Sequence, residues 1–289
     1  MITRSVVRRC APLFLVALLV VVAGLPARAG GLALTGDAIQ GGLMIGQVEP
    51  RSRVRFEGNT VRVWSDGRFL IGFGRDAAAS AVLDIRYPDG STEQRRIDVA
   101  ARDYEVQRID GLVSNMVTPS AEALARIREE NQRIAAGRAI DSADPWFDSG
   151  FVWPLVGIVT GTYGTQRILN GEPRQPHYGV DVAAPEGAPV YAPADGIVVM
   201  AALDLYYTGG TVMIDHGYGL TSLYSHLSRL DVGVGQALAQ GDPIGGAGAS
   251  GRATGVHLDW RVNLLTTRLD PALLVGPMPP QSDPSGSQQ

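Results

Sequence analysis

Gly209-Gly210-Thr211-Val212-Met213-Ile214-Asp215, followed by His216 and then Gly217-Tyr218-Gly219, reads as a short β-branched strand closed by a glycine turn. Residues 188–200 read the same way, as short strands about the turn Asp195-Gly196. From 157 to 274 the chain is rich in Gly, Val and Ala, and no segment keeps a helical period. An antiparallel β domain is therefore expected over residues 151–275, opened by Phe151-Val152-Trp153-Pro154.

Upstream, residues 30–110 read as a small β domain. Residues 54–56, 61–64, 69–73, 82–87 and 96–99 are short β-branched or aromatic runs. Glu57-Gly58-Asn59, Ser65-Asp66-Gly67 and Pro88-Asp89-Gly90 separate them as turns. Regular short strands with tight turns predict an immunoglobulin-like antiparallel sandwich. It holds no histidine, and a scaffold or binding role is expected of it. Residues 111–150 form the connector. A helix is predicted over 118–136, with Thr118 as cap, Pro119 in the first turn, Gly137 as the stop, and Leu124, Ile127 and Ile134 as a narrow apolar stripe. Two roles are open to it: a spacer, or a cover lying over or beside a groove in the domain that follows.

The first residues carry Arg4, Arg8 and Arg9, an apolar run over 11–24, then Pro26 and Ala27-Arg28-Ala29. This is the pattern of a secretory signal peptide at residues 1–29, cut after Ala29. The apolar run falls short of the ~20 residues that span a bilayer, so no stable membrane insertion is expected after cleavage. Cleavage would remove Cys10, the one cysteine, so the mature chain is expected to rely on its core rather than on disulfides. It would also remove four arginines and no acid, taking the formal charge from −4 to −8. An acidic product without basic clusters argues against nucleic acid as a partner. Residues 276–289, rich in Pro, Ser and Gln, are expected to form a disordered tail.

The chemistry-bearing side chains gather in one window. All four histidines (His177, His216, His226 and His257) lie between His177-Tyr178-Gly179-Val180-Asp181 and Gly255-Val256-His257-Leu258-Asp259-Trp260. A cation bound there would be held by nitrogen and carboxylate oxygen, the donor set of catalytic zinc. In an extended segment His177 and Asp181 share a face, and so do His257 and Asp259. His216, before Gly217, is expected to serve a turn, and Tyr224 and Trp260 to form core or groove wall.

Several motifs in this order are similar to those of the lysostaphin-type zinc endopeptidases, the LytM or M23 family. They are His-x-x-x-Asp at 177–181, Ala184-Pro185-x-Gly187-x-Pro189-Val190, Ala192-x-x-x-Gly196, His216, Tyr224-Ser225-His226-Leu227 and residues 251–258. The resemblance covers residues 153–271 and implies that His177 and Asp181 ligate Zn2+, with His226 and His257 catalytic beside the metal. His257 would take a proton from water and His226 would steady the oxyanion, or the reverse. The family's third ligand is the second histidine of a His-x-His motif, and this chain has Asp259 there. With two carboxylates and one imidazole, a zinc site would be formally neutral and would acidify water less. The resemblance further implies a periplasmic endopeptidase that cuts peptidoglycan stem peptides or cross-links. The alternative is a non-catalytic regulator whose partners are other cell-wall enzymes.

Overall fold

The structure is a computed structural model that describes residues 31–109, 120–169 and 171–280. The expected signal peptide, the end of the tail at 281–289, and the predicted cap Thr118 with Pro119 lie outside the described residues. The protein is mainly β, and among the described residues its strands pair antiparallel except for one parallel pair.

Two antiparallel sheets make up the first region. Ala33–Gly36, Leu43–Gln47 and Arg68–Gly72 form one; Asn59–Val61, Arg53–Phe56, Ser80–Arg86 and Thr92–Asp98, in that order, form the other. The first two of these strands were not foreseen. The predicted Glu57-Gly58 turn closes a two-residue hairpin in which both residues have positive φ, 48° and 76°, as a twist-matched turn requires. The run over 61–64 stops being strand after Val61. Trp64 instead turns to stack on Tyr218 of the second region, with centroids 3.4 Å apart and planes 10° apart.

The two regions share one hydrophobic cluster, from Phe69 and Leu83 through to Tyr224 and Trp260. Polar contacts reinforce it: Arg102 pairs with the buried Asp270 at 2.7 Å, and Arg68 with Asp148 at 2.6 Å. Val106–Ile109 pairs in parallel with Gln166–Leu169, so the end of the first region is hydrogen-bonded into the second.

The second region is built on an eight-stranded sheet. Its order is Ala237–Leu238, Gly196–Leu205, Gly209–Asp215, Leu220–Leu227, His257–Leu264, Val180–Ala183 and Ile158–Gly161, with Thr267–Leu269 added beside His257–Leu264. The register sorts its side chains onto two faces. Val212, Tyr224, Trp260 and Val180 stand opposite one another and face the main core. Met213, Leu223 and Arg261 line the other face, as do Ser225, Asp259 and Asp181.

The helix, α1, spans Ala121–Arg138 and not 118–136. Ser120 is its cap, because its hydroxyl accepts from Ala123 N at 3.2 Å. Of the predicted stripe, Ile127 and Ile134 are buried but Leu124 stays 39% exposed. Glu130 is buried instead, its carboxylate accepting from Arg126 Nε (2.6 Å) and Tyr206 N (2.8 Å). Gly137 does not stop the helix. It lies in the last turn, pressed so close to the sheet that a Cβ there would sit 2.6 Å from Met213 Sδ. Ile134 packs with Met200, Leu205, Met213 and Leu223. So α1 rests on the sheet face that also carries Asp181 and Asp259.

Candidate metal centre

Asp181 and Asp259 face each other across a ladder rung between neighbouring strands. His177 does not belong to the strand. It sits in the loop before Val180–Ala183, tied by backbone bonds between His177 N and Thr165 O (2.9 Å) and between Gly164 N and His177 O (2.7 Å). That loop brings His177 Nε2 to 3.2 Å from Asp181 Oδ1. One ligand-capable atom from each of His177, Asp181 and Asp259 lies within 4.8 Å of the others. Glycine makes this possible at two points. A Cβ at Gly161 would strike the Asp181 carboxylate, and one at Gly179 would come within 2.6 Å of Asp259 Oδ1. A cavity of about 230 Å³ opens against His177 and Asp181, lined also by Thr160, Thr162, Glu105 and Gln107.

These residues fit a divalent metal. His177 Nε2 and Asp181 Oδ1 are buried and make no hydrogen bond, though they face each other. Buried polar atoms without partners are rare and costly unless something satisfies them. The edge of a tetrahedron with metal bonds of ~2.0 Å is about 3.3 Å, and the His177–Asp181 separation already matches it.

Arg261 was not singled out in the sequence, although it lies two residues beyond Asp259 on the same strand face. Its Nε donates to Asp259 Oδ1 (2.9 Å) and Oδ2 (3.0 Å), and its Nη2 to Oδ2 (2.5 Å). Burial, with Asp259 only 2% exposed, pushes that carboxyl up; the Arg261 charge and hydrogen bonds outweigh it and hold the group well below the usual carboxylate range. Burial likewise pushes Arg261 down, and Asp259 more than restores it. This corrects the charge balance expected from the ligands alone. With the guanidinium included, a dication at the site leaves a net +1, the same as a set of one carboxylate and two imidazoles.

His226 and His257 stand side by side, ring centroids 4.8 Å apart. Strict alternation along Leu220–Leu227 would aim His226 at the core beside Tyr224. A positive φ of 65° turns it instead toward His257. Each ring is fixed by its Nδ1–H, donated to Ser250 O (2.8 Å) by His226 and to Gly255 O (2.9 Å) by His257. A carbonyl can only accept, so the neutral form of each ring carries a free acceptor at Nε2. His257 Nε2 lies 3.9 Å from Asp181 Oδ1. Burial lowers the pKa of His226 and favours its neutral form.

His216 lies apart from these groups, on the core face. It is fully buried, with Nδ1 donating to Asp195 O (2.7 Å) and Nε2 bonded to Ser222 Oγ (2.6 Å), which in turn meets Tyr224 OH (2.6 Å). Burial pushes its pKa down to about 4. It is a core residue that ties a turn to two strands, not a ligand.

The family model for peptidase family M23 matches residues 175–271. The peptidoglycan DD-endopeptidase ShyB of Vibrio cholerae is 41% identical over 195 residues, covering 66% of this chain and 42% of the relative. ShyA of the same organism, also a peptidoglycan DD-endopeptidase, is 44% identical over 87 residues, covering 30% and 20%. The DD-carboxypeptidase/endopeptidase Mpg of Neisseria gonorrhoeae is 38% identical over 103 residues, covering 36% and 24%. The chain thus spans between a fifth and about two-fifths of the length of these relatives. Among solved structures, a putative peptidase M23 from Pseudomonas aeruginosa superposes with a TM-score of 0.64 at 28% identity, covering 82% of this chain and 95% of that one. Residues 175–271 are a peptidase family M23 domain.

Proposed function

We propose that this protein is a zinc-dependent endopeptidase that hydrolyses peptide bonds in bacterial peptidoglycan, working in the periplasm after export. The observation that carries this reading is the pair of buried, unpartnered atoms on His177 and Asp181, set beside Asp259 and two histidines with free acceptors. The relatives named as peptidoglycan DD-endopeptidases support the substrate class. A regulator that only activates other wall enzymes would need none of these groups, and every one of them is in place.

His177, Asp181 and Asp259 would hold the zinc. The metal supplies Lewis acidity, polarising the scissile carbonyl and making water a better nucleophile. His257 takes the proton from the attacking water, its acceptor Nε2 standing 3.9 Å from Asp181 Oδ1 at the edge of the metal site. In this reading His226 serves as an acceptor rather than as the donor that would steady an oxyanion. With Nδ1–H on Ser250 O and burial favouring the neutral ring, its Nε2 is an acceptor suited to orienting the water or a substrate N–H. Arg261 fixes Asp259 and keeps the centre electropositive.

Incubation of the full chain with purified peptidoglycan is expected to release soluble peptides. A chelator should stop the release and added Zn2+ should restore it. Release that continues in chelator would overturn the metal-dependent reading. No release from zinc-loaded protein would overturn the hydrolase reading.

A further inference from the structure

The sheet face beside the metal centre carries more positive charge than it has partners for. Asp259, Arg261 and Asn263 point to the same face of His257–Leu264, and Arg268 stands opposite Asn263 in the register. Leu223 stands opposite Arg261 and packs with Met213 beneath the last turn of α1. Arg138 follows Gly137 in that turn. The register and the seat of α1 therefore put Arg138 and Arg268 on the same sheet face as Arg261 and Asp259.

Arg261 is committed to Asp259. Arg138 donates only to its own helix, to Ile134 O at 3.3 Å, and Arg268 only to Asn263 Oδ1 at 3.0 Å. Among the described residues neither has a carboxylate partner. Both are half-buried. Burial and repulsion from Arg261 lower the pKa of Arg138, and burial with repulsion from Arg138 and Arg261 brings Arg268 down to about 10. Arg268 also lies 5.7 Å from the ring of Tyr178, the neighbour of His177. A basic residue suits a helix C-terminus, which accounts for Arg138 alone. It does not account for a second unpaired cation on Thr267–Leu269. Half-dehydrated charges without partners cost free energy, and an anion bound between them would recover it.

We propose that Arg138 and Arg268 form a subsite that binds a carboxylate of the substrate peptide beside the metal ligands. The inference rests on the endopeptidase reading and deepens it: the preferred substrate is a stem peptide with a free carboxylate near the scissile bond. It also gives α1 a task other than covering the groove, since its last turn supplies half of the subsite.

The test uses the full chain and one cross-linked stem peptide in two forms, with carboxylates free or converted to amides. Wild type should prefer the free acid by about tenfold or more in kcat/KM, the value of one charge-assisted hydrogen bond. In Arg268→Gln and Arg138→Gln the acid-to-amide ratio should fall toward one, mainly through KM, with zinc content retained. Arg268→Lys should recover part of the preference. Removing a half-buried cation that lacks a carboxylate partner should also raise the melting temperature of Arg268→Gln without substrate, a readout independent of turnover. Calorimetric binding of the free-acid peptide separates the two readings. Arginine-dependent binding without cleavage would keep the subsite and overturn the hydrolase. Cleavage with equal use of acid and amide by wild type would overturn the subsite and keep the hydrolase.

Discussion

His257→Ala is expected to keep one zinc per chain and lose turnover by about 10²-fold or more, the contribution of a positioned base. The ring does not need to touch the metal to matter. Its Nδ1 is held by Gly255 O, and its Nε2 faces the space between Asp181 and His226. His226→Ala should also keep zinc and lose turnover. Its loss should be smaller, because an acceptor that orients water can be replaced in part by solvent. Metal content and single-turnover rates on the same preparations check both points. Turnover intact in both variants would remove the histidines from the reaction and return the regulator reading.

The second large effect is expected at Arg261. In the zinc-free protein, Arg261→Ala leaves the buried Asp259 carboxylate without its counter-charge, close to Asp181. Breaking a buried pair from one side costs about 3–5 kcal/mol, which for a chain of this size lowers the melting temperature by about 10 °C. Zinc should recover much of that loss, because the dication neutralises both carboxylates. The variant should therefore bind zinc more tightly than wild type while turning over more slowly, since the centre loses one positive charge. Thermal melts with and without zinc, together with a zinc titration, read all three effects. Equal melting temperatures in the zinc-free proteins would show that Arg261 does not balance Asp259.

Much of this was legible in the sequence because the relevant physics is local. β-Branched runs with glycine turns gave the strands at Gly209–Asp215 and Ser80–Arg86, and residue spacing brought His257 and Asp259 to one face. What was missed depends on contacts distant in sequence or on broken periodicity. Trp64 reads as strand until Tyr218 is there to stack on. Gly137 reads as a helix stop until Met213 shows why a side chain would not fit. The aim of His226 depends on a positive φ that alternation cannot foresee. Arg261 was within reach, two residues from Asp259, but a lone arginine on a strand has no meaning until the charge it balances is known to be buried. Arg138 and Arg268 are 130 positions apart in the chain and come to one sheet face only because α1 settles there.

In the proposed centre Asp259, forked by Arg261, completes a metal site with His177 and Asp181. The most direct test is zinc stoichiometry of the full chain, measured on wild type, His177→Ala and Asp259→Ala purified side by side. One zinc per chain in wild type and a fraction of that in both variants is the predicted result. One zinc per chain in Asp259→Ala would take Asp259 out of the metal shell.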